Sequence, residues 1–280
     1  MSTPAPLDHP AAQSVTSADG ALPFPVLCDL DGVVWLAHQP IEGSVEAIAE
    51  LRATGHRVLF VTNNSASRIA EQEATLAAIG IPATGDVLTS ADAAAMLVEP
   101  GERVMVCGGP GVVEALERRG ATAVDVTDDS AETARFDAVM VGFHRSFDYE
   151  GMRRSSAAVR GGARLIGTND DATYPTPTGP IPGGGSILAA IATASGVVPI
   201  VAGKPYPPMA NLVRVVTGLH DLRAAVMVGD RPDTDGRFAQ TLGCRYAHVW
   251  SGVTVAGADV EPKPWMQGAN LAAVTARLLA

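Results

Sequence analysis

The chain has 280 residues, of which 47% are hydrophobic, and a formal net charge of -10. This length and composition suffice for one large domain or two modest ones with a buried core. The negative charge excludes nucleic acid and anionic membrane as the main partner, because both require a basic surface. An anionic small molecule remains compatible with the sequence if positive charge is concentrated locally.

Cysteine content and the amino-terminal sequence bear on the cellular compartment. The three cysteines, Cys28, Cys107 and Cys244, are an odd number scattered through apolar segments, which favours a reducing environment over a disulfide framework. Residues 1–20 contain no long apolar run, so we expect a disordered tail and no secretory signal. The uncharged stretch 172–203 is broken by proline and glycine and is not a membrane span. A cytoplasmic protein is expected.

Short β-branched runs alternate with helical patterns along the chain, as is typical of an α/β protein with a mostly parallel sheet. In the first unit, "FPVLCDL" predicts a strand and "SVEAIAELRATG" a helix that begins after Ser44 as N-cap and ends at Gly55. "VVPIVAG" predicts the first strand of the second half. A further α/β set lies between the halves, which indicates a domain inserted into a domain. We expect a tail of residues 1–20, a core domain of residues 21–100 and 199–280, and an inserted domain of residues 101–198.

Acidic and small polar residues follow several predicted strands. These are Asp29 and Asp31 in "DLDG", Thr62, Asn63 and Asn64 in "TNN", Lys204 in "AGKP", and Asp230 and Asp235 in "GDRPDTD". Since ligands of open α/β sheets bind at the carboxyl ends of strands, these residues indicate one shared site. The alternative is that they form turns and helix caps, where Asp and Asn are common, and this is the favoured interpretation of "TNN" taken alone.

Two observations favour the shared site. Asp29 and Asp31 follow an apolar strand, and unpaired carboxylates there repel each other unless a cation lies between them. A hard divalent metal ion, with Asp230 as a further oxygen ligand, resolves that conflict. In addition, 18 of the 20 basic residues are arginine, so Lys204 suggests a need for a compact ammonium that contacts a phosphoryl oxygen and a carboxylate.

In this order the four motifs resemble those of the haloacid-dehalogenase superfamily of aspartate-nucleophile phosphatases. The segments "VGFHRSFDYEGM" and "GTNDDATYPTPTGPIPGGGS" resemble the α/β cap of its nitrophenyl-phosphatase-like branch, class IIA. The resemblance runs from about Phe24 to the carboxyl terminus and implies a Rossmann-like core with an inserted α/β cap domain. His144 departs from the pattern because an acid is common there. Pro232 and Gly236 replace the apolar residues usual in the metal loop.

The resemblance also implies catalytic roles. Asp29 is the expected nucleophile, which forms an aspartyl-phosphate. Asp31 is the expected general acid and base. The side chain of Thr62, the amide groups around Asn63 and Asn64, and the ammonium of Lys204 are expected to hold the phosphoryl oxygens.

Magnesium is the cofactor that the resemblance implies. The expected ligands are Asp29, the backbone carbonyl of Asp31, and Asp230, with Asp235 in support. The ion would cancel the repulsion between the carboxylates and the phosphate.

The implied substrate is a small phosphorylated metabolite. We expect the leaving group to contact two cap loops, through Phe143, His144, Arg145, Asn169, Asp170 and Tyr174. Their hydrogen-bonding and aromatic groups favour polyol or hydroxyacid phosphates, such as glycerol 3-phosphate or phosphoglycolate, over pyridoxal phosphate and nucleotides. The alternative is that His144 and Arg145 only cover the cap surface. A homodimer formed through the cap is a further expectation.

Other functions would use some of the same residues, and two further motifs have ordinary structural explanations. A phosphotransferase would use the same residues, whereas a degenerate binding protein would not need them all. A signalling receiver domain is far shorter and has no general acid after its nucleophile. "VCGGPG" predicts an ordinary turn between a strand and a helix, and "PGGGS" either a phosphate cradle or a close approach of two backbones.

Overall fold

The structure is a computed structural model that describes residues 23–132, 134–174, 176 and 179–280, so the expected tail of residues 1–20 lies outside it. Its strands are β1 (Val26–Cys28), β2 (Trp35–Leu36), β3 (Gln39–Pro40), β4 (Val58–Thr62), β5 (Val87–Thr89), β6 (Arg103–Cys107), β7 (Thr122–Asp125), β8 (Ala138–Val141), β9 (Arg164–Gly167), β10 (Thr173–Tyr174), β11 (Ile181–Pro182), β12 (Ile200–Val201), β13 (Val226–Gly229), β14 (Arg245–Val249) and β15 (Met266–Gly268). Its helices are α1 (Ser44–Ala53), α2 (Ile69–Ala78), α3 (Ser90–Ala95), α4 (Pro110–Arg118), α5 (Tyr149–Arg160), α6 (Gly184–Ser195), α7 (Pro207–Thr217), α8 (Arg237–Leu242) and α9 (Leu271–Leu278).

Two parallel sheets organise the chain. The first has six strands in the order β15-β14-β13-β1-β4-β5, and the second has five in the order β12-β9-β8-β6-β7. Strands β2 and β3 form an antiparallel hairpin, as do β10 and β11. The predicted α/β fold with a mostly parallel, Rossmann-like sheet is therefore confirmed. Among the described residues, no helix has the length and apolar character needed to cross a membrane.

Strand β12 belongs to a different sheet from the one expected. It was predicted as a strand of the core domain, but Ile200 pairs with Ile166 of β9 at the edge of the second sheet. A two-residue strand carries too little pattern to specify its partner, and β12 leads directly from the second sheet back to the first. The residue bounds of the two domains stay a prediction.

The two sheets share one apolar core. Leu27 and Leu59 of the first sheet belong to the same buried cluster as Val106 and Ile166 of the second. Helix α3 contributes its buried alanines to this cluster, and its small side chains allow neighbouring elements to approach closely. The second sheet is thus packed against the first.

The start of α1 differs from the prediction in one detail. Gly43, at φ 78°, is the N-cap, and Ser44 is the first helical residue. The Ser44 hydroxyl is buried and donates to the carbonyl of Val34 at 2.9 Å, so it serves a tertiary contact instead of the cap. Gly55, at φ 87°, follows the end of the helix as predicted.

Candidate active site

Three polar residues meet at one edge of the first sheet because their strands are neighbours. Asp230 follows β13, Asp29 follows β1, and Thr62 ends β4, and these strands lie side by side in the order β13-β1-β4. They open onto a cavity of about 310 Å³ that is also lined by residues of the segments that follow β8 and β9 of the second sheet. Lys204 enters the cavity from the loop after β12.

Lys204 bridges two carboxylates at the base of this cavity. Its Nζ donates to Asp29 Oδ1 at 2.8 Å and to Asp235 Oδ1 at 2.7 Å. Lys204 is 2% exposed, and burial alone would lower the pKa of its ammonium, but the two carboxylates raise that pKa above its usual value. The ammonium therefore stays charged and fixes one oxygen of Asp29.

Asp230 carries a buried oxygen that lacks a partner. Its Oδ2 accepts from the backbone N–H of Val253 at 2.7 Å, while its Oδ1 has no hydrogen-bond partner in the described part of the chain. Burial, together with the negative charges of Asp235 and Asp29, raises the pKa of Asp230 to about 8. A group held in this way favours either a proton or a cation.

The three carboxylates have the chemistry and spacing of a metal site. One oxygen each from Asp29, Asp230 and Asp235 lies within 4.8 Å of the others. Oxygen ligands of this kind suit Mg²⁺, and an ion among them would satisfy the unpartnered oxygen of Asp230 and offset the mutual repulsion. The residues present therefore fit the predicted magnesium ion.

Asp31 is positioned by a neighbouring indole. The Nε1–H of Trp35 donates to Asp31 Oδ1 at 3.0 Å. Burial, and secondarily the charge of Asp29, raises the pKa of Asp31 to about 6. A carboxyl group with a pKa near neutrality can both release and accept a proton, as general acid–base catalysis requires.

The "TNN" segment is more than a turn. Thr62 Oγ1 accepts from the backbone N–H of Asn64 at 3.0 Å, which is the local turn expected for such residues. The Asn63 side chain instead reaches across the site. Its Oδ1 accepts from the backbone N–H of Lys204 at 2.8 Å, and its Nδ2 donates to Asp171 Oδ2 at 3.0 Å. Asn63 thus connects the end of β4 to the lysine loop and to the loop after β9.

Of the predicted cap residues, Phe143, Tyr174 and Asn169 line the cavity. The rings of Phe143 and Tyr174 are stacked, with centroids 4.9 Å apart and an interplanar angle of 21°. The Nδ2 of Asn169 donates to the backbone carbonyl of Asn63 at 2.8 Å. These residues form the roof above Asp29.

The remaining predicted cap residues, His144, Arg145 and Asp170, are not among the residues that line the described part of the cavity. His144 Nδ1 lies 3.7 Å from Cys107 Sγ, and Arg145 is exposed. Asp170 Oδ2 accepts a hydrogen bond from the hydroxyl of Tyr206 at 2.5 Å. Their contact with a leaving group stays a prediction.

Sequence reasoning missed three residues of the site, namely Trp35, Asp171 and Arg231. Asp171 and Arg231 line the cavity, and Trp35 donates a hydrogen bond to Asp31. Arg231 lies inside the "GDRPDTD" motif and Asp171 directly follows Asp170, so their proximity to predicted residues was the available signal.

Two glycines, Gly185 and Gly236, lie where a side chain would collide with neighbouring atoms. A Cβ on Gly185 would lie 2.2 Å from the carbonyl carbon of Asp170, so "PGGGS" allows two backbones to approach closely. A Cβ on Gly236 would lie 2.9 Å from Pro262 Cδ and 3.0 Å from Tyr246 Cε1. The apolar residue usual at position 236 therefore does not fit this chain.

Comparisons with known proteins agree with this geometry. The family model described as haloacid dehalogenase-like hydrolase matches residues 26–122, and a second haloacid-dehalogenase-hydrolase-like model matches residues 201–273.

The chain is 38% identical over 244 residues to D-glycerol 3-phosphate phosphatase of Mycobacterium tuberculosis. The matched region covers 85% of this chain but only 66% of that protein. It is 34% identical over 232 residues to acid sugar phosphatase of Staphylococcus saprophyticus, covering 81% of this chain and 86% of the relative. The crystal structure of the M. tuberculosis glycerol phosphate phosphatase in complex with magnesium superposes with a TM-score of 0.79 at 35% identity, covering 89% of this chain and 75% of that chain.

Proposed function

This chain belongs to the haloacid-dehalogenase-like hydrolases, and we propose that it is a magnesium-dependent phosphatase of small phosphomonoesters. The observation that carries the proposal is the arrangement around Asp29. Its carboxylate lies at the base of a roofed cavity, is fixed by Lys204 through one oxygen, and faces the unpartnered oxygen of Asp230 within a three-carboxylate cluster. Polyol and hydroxyacid phosphates, such as glycerol 3-phosphate and phosphoglycolate, are the favoured substrates.

The first step forms an aspartyl-phosphate. A carboxylate oxygen of Asp29 bonds to phosphorus as the bond between phosphorus and the leaving oxygen breaks. Asp31 gives its proton to that leaving oxygen, so the alcohol departs neutral. The raised pKa of Asp31 supports this assignment because a larger fraction of the group is protonated near neutral pH than for an ordinary carboxyl group.

The second step returns the enzyme to its starting state. Asp31, now a carboxylate, accepts a proton from water, and the water oxygen bonds to phosphorus. The bond between phosphorus and Asp29 then breaks, which regenerates the Asp29 carboxylate and releases inorganic phosphate. The hydrogen bond from Trp35 keeps the Asp31 carboxyl in one orientation for both proton transfers.

Asp29, Asp230 and the backbone carbonyl of Asp31 would hold magnesium, with Asp235 in support. When bound, the ion supplies positive charge that offsets the repulsion between the phosphate and the carboxylates. Lys204 holds the side chains of Asp29 and Asp235, so the carboxylate cluster is arranged before a ligand arrives.

Size limits the substrate. The cavity of about 310 Å³ lies beneath Phe143, Tyr174 and Asn169, and a volume near the lower end of ligand pockets suits a small ester better than a protein or polynucleotide. Pyridoxal phosphate and nucleotides are the alternative substrates. Transfer of the phosphoryl group to a second alcohol is the alternative reaction, and a catalytically degenerate binding protein is the alternative that is not an enzyme.

A cytoplasmic location and a homodimer formed through the cap belong to the same proposal. Cys28, Cys107 and Cys244 are all free thiols, in keeping with a reducing compartment. For the dimer, Val198 and Ile200 expose apolar side chains at the edge of the second sheet.

Release of inorganic phosphate from a panel of these esters tests the function. We expect turnover with Mg²⁺ and none in excess chelator. Asp29→Asn should lower turnover by a factor on the order of 10⁴ or more while the melting temperature changes little, because the amide is isosteric but not nucleophilic. Undiminished turnover of the wild type in excess chelator, or of Asp29→Asn with Mg²⁺, would overturn the mechanism. Adding a second alcohol distinguishes transfer from hydrolysis.

A further inference from the structure

Asp171 and Arg231 face each other across the cavity, one from the loop after β9 and the other from the loop after β13. The distance between Asp171 Oδ1 and Arg231 Nη1 is 3.9 Å, which is longer than a hydrogen bond. Both residues line the cavity. The pair is therefore close in space but not directly bonded.

The guanidinium of Arg231 is unengaged although its backbone is fixed. The Arg231 N–H donates to Asp235 Oδ2 at 3.1 Å, and its carbonyl accepts from the Asp235 N–H at 2.7 Å. Its side chain makes no hydrogen bond with any described residue, and a second carboxylate oxygen, Asp233 Oδ1, lies 4.0 Å from Nε. Lys204 differs, because its ammonium already donates to two carboxylates. Arg231 thus has side-chain donors to offer a ligand in the cavity.

Asp171 is half engaged. Its Oδ2 accepts from the Nδ2 of Asn63, which holds the carboxylate against the first sheet. Its Oδ1 faces Arg231. An acceptor held by Asn63 therefore stands opposite the free donors of Arg231 inside the cavity.

We propose that Asp171 and Arg231 bind one hydroxyl group of the leaving alcohol, an inference that rests on the proposed phosphatase function. A hydroxyl oxygen can accept from Arg231 Nη1 while its proton is donated to Asp171 Oδ1, and a separation of 3.9 Å allows one oxygen to reach both. A carboxylate on the leaving group could accept from Arg231 but would be repelled by Asp171. The pair therefore selects neutral polyol phosphates over hydroxyacid phosphates.

The test compares glycerol 3-phosphate with n-propyl phosphate, which has the same carbon chain without the free hydroxyls. We expect the wild-type enzyme to prefer glycerol 3-phosphate in kcat/KM by about tenfold or more, as for hydrogen bonds to charged groups. Asp171→Asn and Arg231→Gln should each remove most of this preference. The new amide at position 171 can still accept from Asn63, so the contact between the sheets is kept.

Asp233→Asn is the matched control, because it removes a charge 4.0 Å from Arg231, close to the 3.9 Å of Asp171, but lies in an exposed position. It should keep the wild-type preference. The inhibition constant of inorganic phosphate should stay unchanged in the Asp171 and Arg231 variants. Arg231→Lys, which keeps the charge but not the planar fork, covers the case in which Arg231→Gln does not fold.

Two results with the variants would overturn the pair's role. One is an unchanged preference in folded Asp171→Asn and in the Arg231 variant. The other is weaker inhibition by inorganic phosphate with the preference retained, which would place Arg231 on the phosphoryl group. If the wild-type enzyme hydrolyses neither ester nor any other of the panel, the proposed function itself fails, whereas turnover of both esters with equal kcat/KM removes only this inference.

Discussion

The Nζ of Lys204 lies 2.8 Å from Asp29 Oδ1 and 2.7 Å from Asp235 Oδ1, so one ammonium holds both the proposed nucleophile and a carboxylate of the proposed metal site. No described residue donates a hydrogen bond to the other oxygen of Asp29. Lys204 therefore determines which oxygen of Asp29 is free to react. It also joins the loop after β12 to the loops that follow β1 and β13 in the first sheet.

Replacing Lys204 with methionine should abolish turnover and lower the free energy of unfolding. Breaking a buried ion pair from one side costs about 3–5 kcal/mol, because the remaining charges are left without a partner. Chemical denaturation measures the loss in free energy of unfolding, and phosphate release measures turnover. Lys204→Arg is the control for charge: it should recover part of the stability but little turnover, because the guanidinium does not fit a site in which lysine is 2% exposed. Turnover near that of the wild type in Lys204→Met would contradict this role.

Stabilisation of the fold by magnesium should depend on Asp230. Ligand binding to the folded state stabilises it by about 2.7 kcal/mol at a hundredfold excess over Kd, so Mg²⁺ should raise the melting temperature of the wild-type protein. Asp230→Asn should show a much smaller increase. Without metal, this variant should be more stable than the wild type, because it removes one negative charge from a buried cluster of three carboxylates that repel one another.

A magnesium titration followed by thermal unfolding checks both parts of this prediction. Asp233→Asn lies in the same loop but is exposed, so it should respond to the ion like the wild-type protein. An equal magnesium response in Asp230→Asn would exclude Asp230 as a ligand.

His248 gives the stability a dependence on pH. The side chain is fully buried in β14, its Nδ1 lies 2.8 Å from the hydroxyl of Tyr246, and its Nε2 has no hydrogen-bond partner in the described chain. Burial lowers the pKa of His248 below the value of about 6.5 expected in the unfolded chain. The unfolded state therefore binds more protons as the pH falls through 6.5, and the folded state loses stability by up to about 1.4 kcal/mol per pH unit.

Substituting His248 isolates this contribution. In His248→Gln the proton uptake is removed while a polar side chain is kept. Between pH 7.5 and pH 5.5 the free energy of unfolding should therefore fall more for the wild type than for the variant. Denaturant unfolding at several pH values measures it. A difference that stays constant over this range would show that His248 does not titrate differently in the two states.

The sequence identified the residues that follow strands, because local pattern decides both the strand and the polar residue after it. Asp29, Thr62 and Asp230 meet as expected, since parallel strands bring their carboxyl ends to one edge. Pairing between distant segments was beyond that reasoning. The placement of Ile200 in the second sheet and the use of the Ser44 hydroxyl on Val34 depend on tertiary contacts that short segments do not encode.

The same limit applies to the roof of the site. Asp171 and Arg231 are 60 residues apart and carry no shared motif, so their approach to 3.9 Å followed only from the packing of one sheet on the other. His144 stood out in the sequence because it departs from a family pattern, yet its ring is directed to Cys107. A departure from a motif therefore identified an unusual position, but not the group that the position contacts.

Trp35 should matter for esters whose leaving group needs a proton. Its indole N–H holds Asp31 at 3.0 Å, and Trp35→Phe removes this donor while keeping an aromatic ring in the buried position. An alkyl leaving group must be protonated as it departs, whereas a nitrophenolate leaves without help. We expect kcat to fall at least tenfold for glycerol 3-phosphate, as for loss of a hydrogen bond to a charged group, and much less for p-nitrophenyl phosphate.

This ratio separates positioning of Asp31 from simple loss of packing. A loosened core would lower the melting temperature of the variant and would lower kcat for both esters by the same factor. Trp265→Phe is the control for residue type, because Trp265 is half exposed and its ring packs under Arg245. It should leave the ratio of the two kcat values at the wild-type level. If Trp35→Phe lowers both kcat values by the same factor, the indole stabilises the fold around Asp31 without orienting its proton transfer.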